Sequence, residues 1–389
     1  MRKYREAIVL AGGFGTRLAH VVPDVCKPMA PVAGRPFLRF IMDQLAANGI
    51  ERAVVADGYR KEQIEGYFGG SYRGMGIDYS SEDEPLLTGG AVKQALTKCE
   101  GDWVFVVNGD TWLDVDFGAM EAVADNAPDS VKAVVAVKRM KDFERYGTVD
   151  VNDNGIITTF HEKCPCAEGL INAGTYIVRR EALVNMPRKF SLESYWFEDV
   201  VGAGKLAACE CAGGFIDIGV PEDYELAQTM LAPLARSWKL AMFDRDGTLN
   251  VDTGHLFESE KLELIPETVE IMARYAADSG YKVVVVTNQA GIAKGLYTEA
   301  DMRALHRHME EELEELGARV DAWYFCPHHP DYTGECACRK PAPGMLLAAM
   351  RDFDAMPTDC VMYGDKPSDE AAAKAASVGF VYAGVGKRP

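Results

Sequence analysis

Residues 7–18 read AIVLAGGFGTRL, and an apolar segment there runs directly into a loop with three glycines. The first four residues have the aliphatic, β-branched composition of a buried strand. Gly12, Gly13 and Gly15 allow backbone N–H groups to approach a phosphate, which larger side chains would prevent. Arg17 adds a positive charge at the end of the loop. A strand that ends in such a loop is typical of nucleotide-binding α/β folds.

A second strand with a phosphate-chemistry loop lies past the middle of the chain, where residues 240–248 read LAMFDRDGT. Asp244 and Asp246 follow the apolar segment at once. With this spacing, one carboxylate can attack a phosphorus atom while the other, two residues later, moves a proton. The stretch therefore predicts phosphoryl transfer through an aspartate.

Apolar segments alternate with helical patterns along the whole chain, which predicts βαβ units and mostly parallel sheets. We predict an α/β protein with two Rossmann-like domains, residues 1–236 and 237–389. A helix is expected from Pro221 to about Arg236, and because the next strand follows almost at once, we expect the two domains to pack together. The predicted strands are 53–56, 103–107, 131–137, 171–178, 240–243, 282–286, 322–325 and 360–363.

The composition is that of a globular protein, with 48% hydrophobic and 26% charged residues among 389. A net charge of −18 argues against a nucleic-acid partner, which needs a basic surface. No apolar segment approaches the roughly 18 residues that a membrane span requires. The basic start of the chain leads directly into a strand, so we expect a cytoplasmic protein.

Further charged residues follow the first glycine-rich loop. Lys27 comes soon after it, and Asn108 and Asp110 end a later buried strand. Arg17 and Lys27 can neutralise the phosphates of a nucleoside triphosphate. Asp110, together with Asp217, offers oxygen ligands for Mg²⁺.

Four blocks of the first half resemble, in order, those of the sugar-phosphate nucleotidyltransferases over roughly residues 5–230. They are the glycine-rich loop with Lys27, residues 108–110, residues 162–163 with 172–175, and residues 217–224. The resemblance implies a mixed sheet of the GT-A-like type. It also implies transfer of a nucleotide to a sugar 1-phosphate, with Arg17 and Lys27 on the phosphates. By the same resemblance Mg²⁺ is held by Asp110 and Asp217, and the sugar is contacted by Glu162, Lys163 and Asn172.

Residues 79–90 read YSSEDEPLLTGG and resemble the guanylyl-type members, in particular the heptose-1-phosphate guanylyltransferases. This resemblance implies GTP and heptose 1-phosphate as substrates, with Gly89 in the nucleotide-binding stretch. The carboxylate of Glu82 can accept from both N1–H and the 2-amino group of guanine. The alternative is that Glu82 is a solvated loop charge. The sequence departs from the family pattern at Leu87, where glycine is expected, and this could crowd the backbone near the base.

The second half adds three more pairs of polar residues at or near predicted strand ends: Thr287-Asn288, Arg339-Lys340 and Asp365-Lys366. With the two aspartates, they resemble the motifs of the haloacid-dehalogenase superfamily over roughly residues 238–387, which implies a parallel sheet. The resemblance makes Asp244 the nucleophile and Asp246 the acid and base. Thr287 and Lys340 would stabilise the transferring phosphoryl group. Mg²⁺ would be held by Asp244, Asp365 and the carbonyl of Asp246, and the substrate would be bound by Asn288, Arg339 and Lys366.

Three cysteines and a histidine, Cys326, His328, Cys336 and Cys338, have the spacing of a closed tetrahedral Zn²⁺ site with a structural role. This loop is similar to that of the heptose-bisphosphate and histidinol-phosphate phosphatases. The similarity favours His328 over His329 as the ligand. It also implies that Arg339 and Lys340 meet the second phosphate of a heptose 1,7-bisphosphate. We assign no role to His255, His306, His308 or His329, and expect free thiols at Cys164, Cys166, Cys209 and Cys211.

The two resemblances together predict a bifunctional enzyme. It would remove the C7 phosphate of heptose 1,7-bisphosphate and then join the heptose 1-phosphate to GTP. Three alternatives stay open: another sugar phosphate, ATP in place of GTP, or one domain that is a non-catalytic regulatory module. The sequence also leaves a homo-oligomer open.

Overall fold

The computed structural model describes residues 4–13, 15, 17–18, 20–201 and 203–383. Phe14 and Thr16 of the glycine-rich loop lie outside this set. The chain divides into two compact units, Met1–Ala235 and Arg236–Pro389. Strands and helices alternate in both, which confirms the predicted α/β class. No helix in the described ranges is both long enough and apolar enough to cross a membrane.

The strands of the first unit are β1 (Glu6–Leu10), β2 (Pro31–Val32), β3 (Arg35–Pro36), β4 (Arg52–Ala56), β5 (Ser71–Tyr72), β6 (Met75–Tyr79), β7 (Trp103–Asn108), β8 (Thr111–Leu113), β9 (Ala133–Phe143), β10 (Thr148–Val151), β11 (Ile157–Phe160), β12 (Cys166–Arg179), β13 (Leu206–Glu210) and β14 (Phe215–Asp217). Its helices are α1 (Phe37–Ala47), α2 (Lys61–Phe68), α3 (Leu87–Ala95), α4 (Phe117–Asn126), α5 (Glu198–Val201) and α6 (Pro221–Met230).

The main sheet of the first unit has ten strands and a mixed direction, as predicted. Its order is β11-β10-β12-β7-β1-β4-β6-β5, and β9 pairs with β12 and with β13. Strands β7, β1, β4 and β6 are parallel, whereas β12 runs antiparallel to β7. Apolar clusters cover both faces of the sheet, which is why its central strands are almost wholly apolar. The glycine-rich loop and Asn108 therefore meet where β1 and β7 end.

Helix α6 is shorter than the sequence predicted. It ends at Met230 rather than near Arg236, and a separate 3-10 turn follows at Ala232–Leu234. Pro233 explains the difference, because proline has no amide hydrogen and its ring collides with the carbonyl four residues earlier.

The second unit contains one five-stranded parallel sheet in the order β17-β16-β15-β18-β19. Each strand predicted here lies within one of its strands, and apolar clusters again cover both faces. The strands are β15 (Lys239–Phe243), β16 (Tyr281–Asn288), β17 (Ala322–Cys326), β18 (Cys360–Gly364) and β19 (Gly379–Tyr382). The helices are α7 (Pro266–Ala277), α8 (Glu299–Glu315), α9 (Pro330–Thr333), α10 (Gly344–Phe353) and α11 (Pro367–Ala375).

Candidate active sites

A cleft opens at the carboxyl ends of β1 and β7 in the first unit. Lys27, at the start of a 3-10 turn, reaches into it and places its Nζ 2.7 Å from Asp110 Oδ2 and 3.3 Å from Asp217 Oδ1. Asp110 follows β7 and Asp217 ends β14, so three distant segments meet here. The cleft is lined by Leu10, Ala11, Gly13, Gly15, Arg17, Lys27, Pro28, Asp110 and Gly219.

The two carboxylates of this cleft suit a divalent cation. Their side chains are 37% exposed at Asp110 and 30% at Asp217, so both can be reached from the cleft. Carboxylate oxygens are the ligands that Mg²⁺ prefers. Lys27 is only 11% exposed and compensates the two negative charges in this structure. The cleft therefore contains two carboxylates and one ammonium group, and it is open to a phosphate ligand.

The glycines of the first loop serve different purposes. A Cβ added to Gly13 would meet no atom within 4 Å, so its backbone faces open space where a ligand can approach. Gly15 has φ +59°, and a Cβ there would lie 2.7 Å from the Cβ of Lys27. Gly15 is therefore required by its backbone conformation and by its close contact with Lys27.

The structure gives a packing reason for the glycine at position 89. A Cβ at this position would lie 2.2 Å from the ring of Phe190, and the Gly89 N–H donates to the Phe190 carbonyl at 3.0 Å. Gly89 thus lets α3 pack closely against the segment around Phe190, and its contact with a nucleotide stays a prediction.

Glu82 is half-buried rather than solvated. Its Oε2 accepts from the N–H of Leu86 at 2.8 Å, and its Oε1 lies 3.2 Å from where a Cβ on Gly12 would stand. Burial raises the pKa of the Glu82 carboxyl. The side chain therefore sits beside the glycine-rich loop in a defined orientation.

Leu87 keeps the backbone expected of glycine. Its φ is +63°, a left-handed conformation that costs a leucine about 1 kcal/mol. The side chain is 51% exposed. The leucine side chain therefore turns toward solvent in this structure, and its effect on a bound base stays a prediction.

Residues predicted to contact the sugar lie in two different settings. Asn172 is held in β12, where its Nδ2 donates to Tyr176 Oη at 2.9 Å. Gly174, with φ +73°, packs against Asn108, so these residues adjoin the end of β7. Glu162 and Lys163 are exposed in the loop between β11 and β12.

The second unit has its polar cluster at the carboxyl ends of β15 and β18. Lys340 is buried, and its Nζ lies 2.6 Å from Asp244 Oδ1, 2.8 Å from the Val286 carbonyl and 2.7 Å from Asp369 Oδ1. Two N–H donors of this ammonium group are used by Asp244 and the Val286 carbonyl, and Asp369 lies at ion-pair distance. The contact of Lys340 with a second substrate phosphate stays a prediction.

Three carboxylates of this cluster can hold a metal ion together. Oxygens of Asp244, Asp365 and Asp369 lie within 4.8 Å of one another. Burial raises the pKa of Asp244 to about 7, while Lys340 acts in the opposite direction, and burial also raises the pKa of Asp365. Sequence reasoning missed Asp369, although an aspartate four residues after Asp365 at the start of a helix was a usable signal.

The carbonyl of Asp246 was predicted to hold the metal, and Lys366 to bind substrate. In the structure Lys366 Nζ lies 3.2 Å from the Asp246 carbonyl and 3.0 Å from Asp252 Oδ2. A carbonyl oxygen has two lone pairs, so this contact leaves one for a metal ion, and the metal role of Asp246 stays a prediction. Lys366 still lines the cavity.

The carboxylate of Asp246 receives four hydrogen bonds. Arg245 Nε and Nη2 donate at 2.9 Å each, Gln289 Nε2 donates at 3.0 Å, and Asn250 Nδ2 donates at 3.2 Å. Such a set holds the carboxylate in one orientation. None of these donors was predicted from the sequence. Gln289 is near Asp246 only in the folded protein, and Arg245 and Asn250 belong to the same loop as Asp246, which gave no sign of a separate role.

Arg245 is itself buried, and beyond Asp246 it also contacts a histidine. Its Nη1 lies 3.2 Å from His306 Nε2, and the His306 ring stacks on Trp323 at 3.8 Å. Burial lowers the pKa of His306 well below its usual value, so the imidazole is neutral and accepts from the guanidinium. His306, assigned no role from the sequence, thus supports the residue that orients Asp246.

The cavity above Asp244 has a volume of about 370 Å³, which suits a small phosphorylated sugar. Arg339 lines it and is anchored by a hydrogen bond of 3.1 Å from Nη1 to the His328 carbonyl. His255, His329 and Lys294 also line it, and the two histidines had been given no role.

Thr287 and Asn288 end β16 beside this cavity. The hydroxyl of Thr287 is buried and accepts from Gln289 Nε2 at 2.9 Å. The Asn288 amide donates to the Lys340 carbonyl at 3.0 Å and accepts from the Lys340 N–H at 3.1 Å. Asn288 therefore holds the segment of Lys340 in place, and one amide N–H is left to face the cavity.

The predicted Cys/His cluster comes together in the structure. His328 Nδ1 lies 3.3 Å from the sulfur of Cys338, and the sulfur–sulfur distances are 3.2–3.6 Å. Ligands on a tetrahedron with metal–sulfur bonds of about 2.3 Å are separated by about 3.7 Å, so the four groups fit one metal ion. His329 instead caps the start of α9, with its Nδ1 accepting from the N–H of Asp331. The remaining cysteines carry free thiols.

Comparison with known proteins finds a matching family model for each half of the chain. The family model described as nucleotidyl transferase matches residues 6–232, and the one described as polynucleotide kinase 3 phosphatase matches residues 239–376. The D-glycero-alpha-D-manno-heptose 1-phosphate guanylyltransferase of Campylobacter jejuni is 40% identical over 221 residues, which are 56% of this chain and 96% of that protein.

The second half is similar to the D-glycero-beta-D-manno-heptose-1,7-bisphosphate 7-phosphatase of Pasteurella multocida. The identity is 40% over 144 residues, which are 36% of this chain and 78% of that protein. The crystal structure of HddC from Yersinia pseudotuberculosis complexed with GMP-PN is 32% identical, with a TM-score of 0.53, and the match covers 58% of this chain and 99% of that one. The resemblances that the motifs predicted are confirmed for both halves.

Alanine substitutions at Gly13 and Gly89 distinguish a glycine needed for ligand approach from a glycine needed for packing. Gly13→Ala should leave the thermal unfolding of the first unit unchanged and raise the KM for GTP about tenfold, because the added methyl group points to open space. Gly89→Ala should destabilise the unit by about 1–3 kcal/mol, because the methyl group meets Phe190. Calorimetry and steady-state kinetics of both variants test this, and equal stability losses in the two would contradict it.

Proposed function

This chain belongs to the nucleotidyl transferase family and its second half to the heptose 1,7-bisphosphate 7-phosphatases, and we propose that it makes a guanosine diphosphate heptose in two steps. Residues 237–389 remove the C7 phosphate of D-glycero-D-manno-heptose 1,7-bisphosphate. Residues 1–236 then transfer GMP from GTP to the resulting heptose 1-phosphate and release pyrophosphate. Because GTP is a cytoplasmic metabolite, the reactions take place in the cytoplasm.

One observation supports the pairing above the others. The relatives of the two halves, each matched over most of its own length, act by name on the 1-phosphate and the 1,7-bisphosphate of D-glycero-D-manno-heptose, in its alpha and beta form respectively. The phosphatase product is the sugar 1-phosphate that a guanylyltransferase consumes. A chain that carries both sites therefore has a chemical reason to do so.

In the phosphatase, Asp244 attacks the C7 phosphorus and the bond from phosphorus to the C7 oxygen breaks. Asp246 gives its proton to that oxygen and afterwards takes one from the water that hydrolyses the aspartyl phosphate, so inorganic phosphate leaves, Asp244 is again a free carboxylate and Asp246 is again protonated. Lys340 lies against Asp244 and places positive charge beside the transferring group. Arg339 lines the cavity and binds the C1 phosphate.

In the guanylyltransferase, an oxygen of heptose 1-phosphate attacks the α-phosphorus of GTP, and the bond to the β-phosphate oxygen breaks. The exposed backbone of Gly13 lets the triphosphate lie against the loop, while Arg17 and Lys27 balance its charge. Glu82 reads guanine through N1–H and the 2-amino group, beside Gly12. Asn172, Glu162 and Lys163 face the sugar.

The donor sets fit two kinds of metal. Asp110 with Asp217 in the first domain, and Asp244, Asp365 and Asp369 in the second, are hard oxygen ligands that fit Mg²⁺. Cys326, His328, Cys336 and Cys338 fit Zn²⁺, with no position left for a substrate. Bound Mg²⁺ would supply charge neutralisation at the phosphates, and Zn²⁺ would brace the loop before Arg339.

The α anomer is the form that both sites must share. The named guanylyltransferase uses the alpha sugar 1-phosphate, whereas the named phosphatase uses the beta bisphosphate. Hydrolysis at C7 breaks no bond at C1, so the anomer that enters the phosphatase is the one that reaches the guanylyltransferase. This phosphatase domain therefore takes the α-bisphosphate.

Single substitutions that disable one domain at a time test the two-step reaction. Asp110→Asn should accumulate heptose 1-phosphate and inorganic phosphate without nucleotide sugar. Asp244→Asn should leave the bisphosphate intact and still convert added heptose 1-phosphate. Chromatography with mass detection reads both outcomes, and a substitution that leaves every turnover unchanged would show that its domain does not catalyse these reactions.

Removal of zinc tests the role of the Cys/His cluster. The purified chain should contain one zinc ion, and Cys336→Ser or chelation should lower phosphatase activity at least about tenfold while guanylyl transfer by the same chain persists. Metal analysis and the two assays in excess Mg²⁺ measure this. Cys164→Ser, which changes an exposed cysteine outside the cluster, is the matched control. Loss of zinc with full phosphatase activity would contradict the bracing role.

A further inference from the structure

A series of hydrogen bonds in the first domain ends on Glu193, a residue to which we assigned no role from the sequence. Glu193 lies in a π-helix, Leu192–Phe197, an element that often marks functional sites. Its Oε1 is 3.2 Å from Tyr176 Oη, and Tyr176 Oη is 2.9 Å from Asn172 Nδ2. Asn172 Oδ1 in turn accepts from the Gly174 N–H at 3.1 Å.

The other oxygen of Glu193 accepts hydrogen bonds from Thr88 and Ser191. Thr88 Oγ1, at the start of α3, donates to Oε2 at 2.8 Å and accepts from the Leu192 N–H at 2.8 Å. Ser191 Oγ donates to the same carboxylate oxygen at 3.3 Å. Glu193 is thereby fixed from both sides and cannot turn away from Tyr176 without losing these partners.

The Glu193 carboxylate determines which group donates in each hydrogen bond of the series from Glu193 through Tyr176 and Asn172 to Gly174. An ionised carboxylate only accepts, so the O–H of Tyr176 must donate to Glu193. Tyr176 is completely buried, and its pKa lies well above the usual value, so it keeps that proton. Its oxygen then has only an acceptor role toward Asn172. The amide must present its NH₂ to Tyr176 and its oxygen to Gly174.

We infer that Glu193 is a positioning residue that sets the orientation of the Asn172 amide and so leaves one Nδ2–H to donate to an oxygen of the sugar 1-phosphate. The inference rests on the proposed function of this domain. Without the carboxylate, the Tyr176 O–H can donate to Asn172 instead of to Glu193. The Asn172 amide can then rotate by half a turn, so that its oxygen, which only accepts, takes the position of the N–H groups. The site would lose a donor to a sugar oxygen without losing any direct substrate contact of Glu193.

Glu193→Gln tests this with little change of shape. The KM for heptose 1-phosphate should rise about tenfold, as expected for one lost hydrogen bond, while the KM for GTP stays within about twofold. Glu210→Gln, an exposed carboxylate paired with Arg139, is the matched control and should behave as wild type. The phosphatase activity of the same chain reports that each variant is folded.

A double substitution distinguishes positioning from a general structural role. If Glu193 acts through Asn172, then Glu193→Gln should have no further effect in the Asn172→Ala background. If its effect multiplies with that of Asn172→Ala, or if Glu193→Gln binds the sugar like wild type, the inference is overturned. Tyr176→Phe, which keeps the ring and removes the hydroxyl, should raise the same KM and replaces Glu193→Gln if that variant does not fold.

The wild-type protein separates this inference from the function on which it rests. If wild type does not join heptose 1-phosphate to GTP, the proposed function fails and the inference fails with it. If wild type is active and the variants show no selective change in the sugar KM, only the inference fails.

Discussion

Both sites depend on one interaction, a lysine ammonium held between two aspartates. In the first unit Lys27 contacts Asp110 and Asp217, and in the second Lys340 contacts Asp244 and Asp369. Each lysine compensates carboxylates that would otherwise repel one another and would repel a phosphate. A chain with a net charge of −18 can in this way present two local environments that accept phosphorylated ligands.

The two clusters differ in burial, and the difference fits their chemistry. Lys340 and Asp244 are almost fully enclosed, with side-chain exposures of 2% and 6%, which suits a carboxylate that must attack phosphorus away from bulk water. Asp110 and Asp217 remain about one-third exposed, as expected of residues that meet a large nucleotide entering from solvent. In both units the cluster lies where parallel strands end, because only there do the loops of neighbouring strands converge.

Much of this arrangement could be predicted from the sequence. The strand ends and the spacing of Asp244, Thr287, Lys340 and Asp365 specify one edge of a parallel sheet, and the cysteine spacing specifies a closed cluster. These signals are local, or they recur at strand ends where topology brings them together. The α/β class, the mixed and parallel sheets and both family memberships followed from them.

The parts that sequence reasoning missed depend on three-dimensional packing. Gly89 is fixed by the ring of Phe190, about a hundred residues away, and nothing near it in sequence shows that contact. The hydrogen bonds that occupy Lys340 and Lys366 become visible only when their acceptors are placed. Arg245, Gln289 and His306 form one buried support for Asp246, but each alone resembles an ordinary polar residue.

The most direct test of the account is a ³¹P NMR time course of the intact protein with Mg²⁺, GTP and heptose 1,7-bisphosphate of each anomer. With the α anomer, the C7 phosphate signal should disappear as inorganic phosphate grows, and pyrophosphate and the paired signals of a sugar diphosphate should follow. The β anomer should give no sugar diphosphate. Nucleotide sugar formed from the β anomer alone, or before C7 hydrolysis, would contradict the account, as would no change with either anomer.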